Sequence, residues 1–126
     1  MEQAAVRTVR DYLNAMEARD LDLAQSFLGD GFVMIFPGNA RFRHLKELVG
    51  WSRERYKFVR KKYETFDVAA GRGGVTVVYC TGTLSGEWLD GSSFSGIRFI
   101  DRFELEDDRI VNQQVWNDMA EAMRKR

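Results

Sequence analysis

In the stretch FIDRF, residues 99–103, an aspartate stands between two phenylalanines at a spacing of two. Successive side chains alternate sides in an extended chain, so Asp101 falls on the same face as Phe99 and Phe103. A lone carboxylate among aromatic rings costs several kcal/mol, roughly, unless it is hydrogen-bonded or protonated. Two outcomes are open. Protonated in a pocket, Asp101 would donate to Tyr12 or to a ligand oxygen; ionised, it would pair with a buried arginine or accept backbone N–H groups near a bulge. Tyr12 has its own pair of readings, a ligand-facing hydroxyl or a core tyrosine with a satisfied one. Asp118, directly before MAEAM, suits a helix N-cap as well as acid/base chemistry.

Other reactive side chains point to less. His44 lies at a helix start beside Arg43 and Lys46 with no carboxylates at ligand spacing, which favours a surface or capping role and no metal. Cys80, the single cysteine, sits in an apolar strand and excludes an intrachain disulfide. The glycines of AAGRGGVTV precede a strand and not a helix, so they form a hairpin turn and no phosphate cradle, and no cofactor is expected. DGSSFSG does not match the G-x-S-x-G elbow of serine hydrolases.

Charge is balanced at 19 basic and 19 acidic side chains. Residues 41–62 nevertheless hold nine Lys/Arg against two Glu, which reads as the solvated face of a helix. Overall neutrality and the lack of any docking motif argue against a nucleic-acid partner. The start MEQAAVRTVRDYL has no basic region followed by an apolar core, and FVMIF at 32–36 is far shorter than the roughly 20 residues that span a bilayer. A soluble, cytoplasmic protein without a membrane segment is expected.

Positioning these residues falls to elements legible in the hydrophobic periodicity. Ala5, Val9, Tyr12, Leu13 and Met16 share one face of a helix over 2–18. A shorter helix starts at Asp20 or Asp22 as N-cap and stops at Gly29. After the turn Asp30-Gly31, a strand over 32–36 breaks at Pro37, the only proline. A third helix is predicted over 44–60, with Leu45, Leu48, Val49, Ser52, Tyr56 and Val59 inward. Period two then takes over, giving four antiparallel strands at 61–71, 74–89, 92–106 and 109–117, and the chain finishes on a short helix, DMAEAMRKR. Residues 1–126 form one domain. Helices on one face of a curved sheet make an α+β cone with a cavity. Val78, Cys80, Leu84, Ile100 and Trp116 are expected on or near the other face, where a homodimer would cover them.

This order of elements resembles the NTF2-like superfamily, on the stretches DYLNAMEARDLDLAQSFL, GDGFVMIFPG and FIDRFELEDDRIV followed by VWND. The resemblance spans essentially the whole chain and implies a cone with helices on the concave face of a mixed, mainly antiparallel sheet. Within it, the ketosteroid isomerases carry a tyrosine and a protonated aspartic acid that donate to an oxyanion; these fall on Tyr12 and Asp101. Their general base, an aspartate before a proline, falls on Phe36. In the SnoaL-like polyketide cyclases an aspartate eight residues after the turn isoleucine acts as acid/base, and counting from Ile110 reaches Asp118.

The resemblance implies a pocket for a small apolar, carbonyl-bearing ligand, with Tyr12, Asp101 and Asp118 as catalytic candidates. Met16, Phe32, Met34, Phe36, Trp51 and Trp88 are the candidate walls. If the protein is an enzyme, it is a cofactor-independent isomerase, cyclase or lyase working by oxyanion stabilisation. The alternative is a non-catalytic dimeric binding or association module that lost its base at position 36 and kept the cavity. Another carboxylate reaching the cavity, such as Glu64, Glu87 or Asp118, would favour the enzyme.

Overall fold

The computed structural model describes residues 3–126. Helix α1 (Ala4–Glu17) realises the predicted amphipathic segment, whose residue 2 lies outside the described residues. Its inner face buries Val9, Tyr12, Leu13 and Met16, each contributing about 2 kcal/mol by removal of apolar surface from water. The helix ends as Arg19 turns into the left-handed region (φ 60°). Asp20, of the two N-cap candidates, then caps α2 (Leu21–Gln25), accepting the Leu23 N–H at 3.2 Å.

Six strands form one sheet in the order β2-β1-β6-β5-β4-β3: β1 (Leu28–Phe36), β2 (Ala40–Phe42), β3 (Tyr56–Ala70), β4 (Thr76–Trp88), β5 (Ser93–Glu106) and β6 (Arg109–Asn117). Only β1 and β6 run parallel. Strand β1 starts four residues earlier than expected. Leu28 pairs with Ile110, and Asp30-Gly31 is absorbed as an irregularity in the strand, Gly31 taking φ 75°. Asp107 and Asp108, both at positive φ, close the β5–β6 hairpin in the twist that such a two-residue turn requires.

The largest departure from expectation concerns residues 54–60. Helix α3 covers only Leu45–Arg53, opened by His44, whose backbone N–H is taken by Glu47 Oε1 at 3.1 Å. From Tyr56 the chain is extended, Tyr56 pairing with Trp88 and Val59 with Gly86. The long strand β4 needs a partner along its whole length, and RYKFV supplies aromatic and β-branched residues that suit it. Tyr56 and Val59 therefore face inward from a strand, and the basic run 41–62 is spread over β2, α3 and β3 and makes no single helix face.

Helices α1, α3 and the short α4 (Met119–Arg124) lie over the concave side of the sheet. The core beneath them contains Val78, Cys80 and Leu84, which corrects their expected place on the outer face. Cys80 is a free, buried thiol whose pKa burial pushes up to about 12. The even-numbered residues of β4 point inward; outward stand Val77 and Tyr79 near its start and the polar Thr81, Thr83 and Ser85 along the rest. Ile100 and Trp116 do stand there, paired across β5 and β6, with Trp116 50% exposed. Among the described residues no helix is long and apolar enough to cross a membrane.

Candidate functional site

Between helices and sheet lies a cavity of about 270 Å³, walled by Phe36, Trp51, Tyr56, Leu84, Phe99 and Val115, with Met119 and Met123 of α4 on one side. A smaller lobe of about 110 Å³ adjoins it under α1 and shares Phe36, Tyr56, Val59 and Lys61 with it. Four groups bring polarity to the larger lobe: Asp101, Lys61, Arg55 and Asn117.

Asp101 is completely buried. Its Oδ2 accepts a hydrogen bond from Lys61 Nζ, whose side chain is 22% exposed, while Oδ1 has no hydrogen-bond partner. Burial raises the carboxyl pKa above the ordinary carboxylate range; the Lys61 charge and hydrogen bond, and more weakly the nearby Gln113 amide, pull it back. Of the two outcomes open to Asp101 the structure shows a buried ion pair, with a lysine in place of the expected arginine.

The register explains how a residue of β3 reaches one of β5. Lys61 faces Leu84 on β4 and Asp101 faces Cys80, so the line between them crosses Gly82. A Cβ there would stand 2.0 Å from the Lys62 carbonyl oxygen and 2.9 Å from the Phe99 ring. Glycine lets β3 close over the sheet and leaves the lysine stem a path. The ammonium also lies 4.7 Å from the centre of the Phe99 ring, a cation–π contact.

Tyr12, 1% exposed, donates to Gln113 Oε1 at 3.1 Å, so its hydroxyl is satisfied and it does not touch Asp101. Burial first, and the Asp101 charge second, raise its pKa. With Gln113 Oε1 held by Tyr12, the amide NH₂ is the branch left to face Asp101. Tyr12 thus lines the smaller lobe and acts on the carboxylate through Gln113.

Asp118 is not part of this wall. Its carboxylate accepts from Arg98 Nε at 2.6 Å at a solvent-exposed position. It stands at the N-cap of α4 without a side-chain capping bond, while Asn117 Oδ1 takes the Met119 N–H at 3.0 Å. Glu64 and Glu87 also lie outside both lobes. Among the proposed walls, Phe36 and Trp51 line the larger lobe and Met16 and Phe36 the smaller one. Phe32 and Met34 are buried in the core beside Tyr12, and Trp88 packs on Phe94 with ring centres 4.6 Å apart. Phe36, where the ketosteroid isomerases carry their base, packs on Trp51 at 5.7 Å.

Lys61, Gln113 and Arg55 escaped the sequence reading, which placed Tyr56 inward only as a helix residue. Lys61 had a signal: it sits two residues from Val59 and from Tyr63, on the inward row of a period-two strand. Among the described residues no group of His, Cys, Asp and Glu could hold a metal ion.

A family model for the SnoaL-like domain matches residues 9–113, which include most of α1, strands β1 to β5 and Asp101. The chain belongs to the SnoaL-like domain family. Solved structures called NTF2-like share its fold. An NTF2-like protein of unknown function from Burkholderia pseudomallei K96243 is 20% identical, with a TM-score of 0.80 over 98% of this chain and 97% of that one. TerC, crystallised with polyporic acid, is 14% identical, with a TM-score of 0.79 over 97% of each chain. An LEH-like epoxide hydrolase from Mycobacterium tuberculosis is 21% identical, with a TM-score of 0.66 over 96% of this chain and 87% of that one. No curated protein matches the chain in sequence.

Proposed function

We propose that this SnoaL-like domain binds a small, largely apolar ring ligand bearing a carbonyl, and that Asp101, held by Lys61, moves a proton on it as a cofactor-independent isomerase, cyclase or lyase. One observation carries the reading: a wholly buried carboxylate with one oxygen on an ammonium and the other unpartnered, in a wall that is otherwise mostly aromatic and aliphatic. A carboxylate deprived of water is a stronger base than a surface one, and its raised pKa favours taking a proton. Oδ1 takes a proton from the carbon next to the carbonyl. The C–H electron pair becomes the enolate double bond and the carbonyl pair moves to oxygen. Lys61, with N–H groups beyond the one on Oδ2, meets that charge, and Asp101 returns the proton to carbon at another position. Phe36 leaves no base at the family's usual position, so Asp101 takes the base's part and not the donor's. Tyr12 and Gln113 position it. Asp118, on the solvent side, has no part in this scheme. TerC's co-crystallised ligand and the epoxide hydrolase activity of the third relative are in keeping with a cavity that takes small organic molecules.

The test is deuterium exchange into a bicyclic ketone such as β-tetralone, followed by proton NMR. The wild-type protein should accelerate exchange at the activated carbon. Asp101→Asn should remove at least about a hundredfold of that acceleration, the usual scale of general-base catalysis. Exchange at the buffer rate, or exchange indifferent to Asp101→Asn, overturns the catalytic reading. Ketone binding without exchange would make the domain a binding module.

A further inference from the structure

The charges around the larger lobe do not cancel. Lys61 and Asp101 neutralise each other, and no other carboxylate lines the wall, which leaves Arg55 as a net positive charge where the cavity meets solvent. The smaller lobe differs, since Glu17 stands beside Arg19 there. Arg55 makes no ion pair with any described carboxylate.

Nor is it a loose surface arginine. It occupies the turn between α3 and β3, where its backbone N–H donates to Ser52 O at 3.0 Å. Its guanidinium lies over the Trp51 ring, with Cζ 4.0 Å from the ring centre. Trp51 is itself wedged against Phe36 and Phe42, with ring centres 5.7 and 5.5 Å away. The ring contact uses none of the guanidinium N–H groups as donors to a described oxygen, and those are the groups that grip a carboxylate in two parallel bonds. The Arg55 charge also reaches Tyr56, whose phenol burial pushes up and Arg19 and Arg55 pull back. Phe36, Trp51 and Tyr56 thus bring flat apolar surface directly beside an uncompensated, pre-oriented cation.

We propose that the larger lobe takes an organic acid, a flat ligand of one or two rings whose carboxylate sits on Arg55 at the rim while its inner end reaches Asp101. Arg55 is then the specificity-determining residue. A single guanidinium matches a monoanion; a phosphate dianion would bring a second charge with nothing to meet it. The volume of about 270 Å³ lies just below the usual range of drug-sized ligand sites and suits such a small body. The inference rests on the reading of the cavity as a small-molecule site.

Isothermal titration calorimetry with naphthoate and naphthamide, one shape with and without the charge, tests it. At low salt naphthoate should bind about tenfold tighter than naphthamide, a preference that added salt reduces because the rim is in water. Arg55→Met should erase the preference while leaving naphthamide affinity within about twofold, and Arg55→Lys should keep part of it. Equal binding of the two probes overturns the organic-acid inference and leaves the cavity reading standing. A preference that survives Arg55→Met but disappears in Lys61→Met assigns the anion to the inner pair and also overturns it. If neither probe binds, both readings fall.

Discussion

Asp101 and Lys61 are unequal partners. The carboxylate is wholly buried, whereas the ammonium keeps 22% of its side chain exposed, so removing one is not equivalent to removing the other. Lys61→Met takes away the charge and the hydrogen bond that hold the Asp101 pKa down, and leaves desolvation, which raises it, in command. A carboxyl whose folded pKa exceeds its unfolded value binds protons more readily when folded. Its contribution to stability is therefore fully present in acid, below the unfolded value, and is lost as pH rises through the folded one. Lys61→Met widens that window upward. The variant should lose about 3 kcal/mol at about pH 8, the scale for stranding a buried charge, and less at about pH 5, since lowering the pH favours protonation of the carboxyl. Urea unfolding at the two pH values measures it, and an equal loss at both would mean that Asp101 protonation is not coupled to folding. A smaller change is expected at Tyr12. Tyr12→Phe removes the bond to Gln113 and should cost about 1 kcal/mol in the same measurement, the usual net worth of a neutral hydrogen bond. A loss below about 0.3 kcal/mol would show that the bond does not hold Gln113 in place.

At the scale of elements, the site depends on how closely β3 approaches β4. Gly82 and Gly86 flank Leu84 on the inner row, and a Cβ at either would stand 2.0 or 2.1 Å from a carbonyl oxygen of β3. Those carbonyls are backbone and cannot rotate away, so the strand itself would have to move, taking Val59 and Lys61 with it. Gly82→Ala is expected to destabilise the fold by about 2–4 kcal/mol, a typical cost of overpacking with backbone shift. It should also weaken ligand binding at the larger lobe, since Lys61 would no longer reach Asp101. Unfolding within about 0.5 kcal/mol of wild type would show that β3 yields without penalty.

At the scale of the whole molecule, no element of the single described chain covers the convex face. With Val78, Cys80 and Leu84 turned into the core, the apolar side chains there are the Ile100–Trp116 pair and, towards the start of β4, Val77 and Tyr79. A homodimer through this face is a proposal that now rests on a smaller patch, framed by polar residues such as Thr81 and Gln114. Sedimentation velocity at micromolar concentration should give a species near twice 14.6 kDa, and Trp116→Glu should return it to the monomer. A wild-type monomer would end the proposal.

Local pattern alone determined the α+β class, the first helix, the four-strand meander and the suspicion attached to Asp101, because each depends on periodicity or on a misplaced residue type within a few positions. Tyr12 was legible for the same reason, as a hydroxyl on an apolar helix face. The identity of the Asp101 partner was not, for Lys61 lies 40 residues away in sequence and nothing local shows which strand pairs with which. The end of α3 and the start of β3 were likewise decided by tertiary structure. RYKFV satisfies a helical and an extended spacing alike, and the unpaired edge of β4 selected the extended one. The same pairing turned Val78, Cys80 and Leu84 inward, because strand parity is set by register and a shift of one residue exchanges the two faces of the sheet.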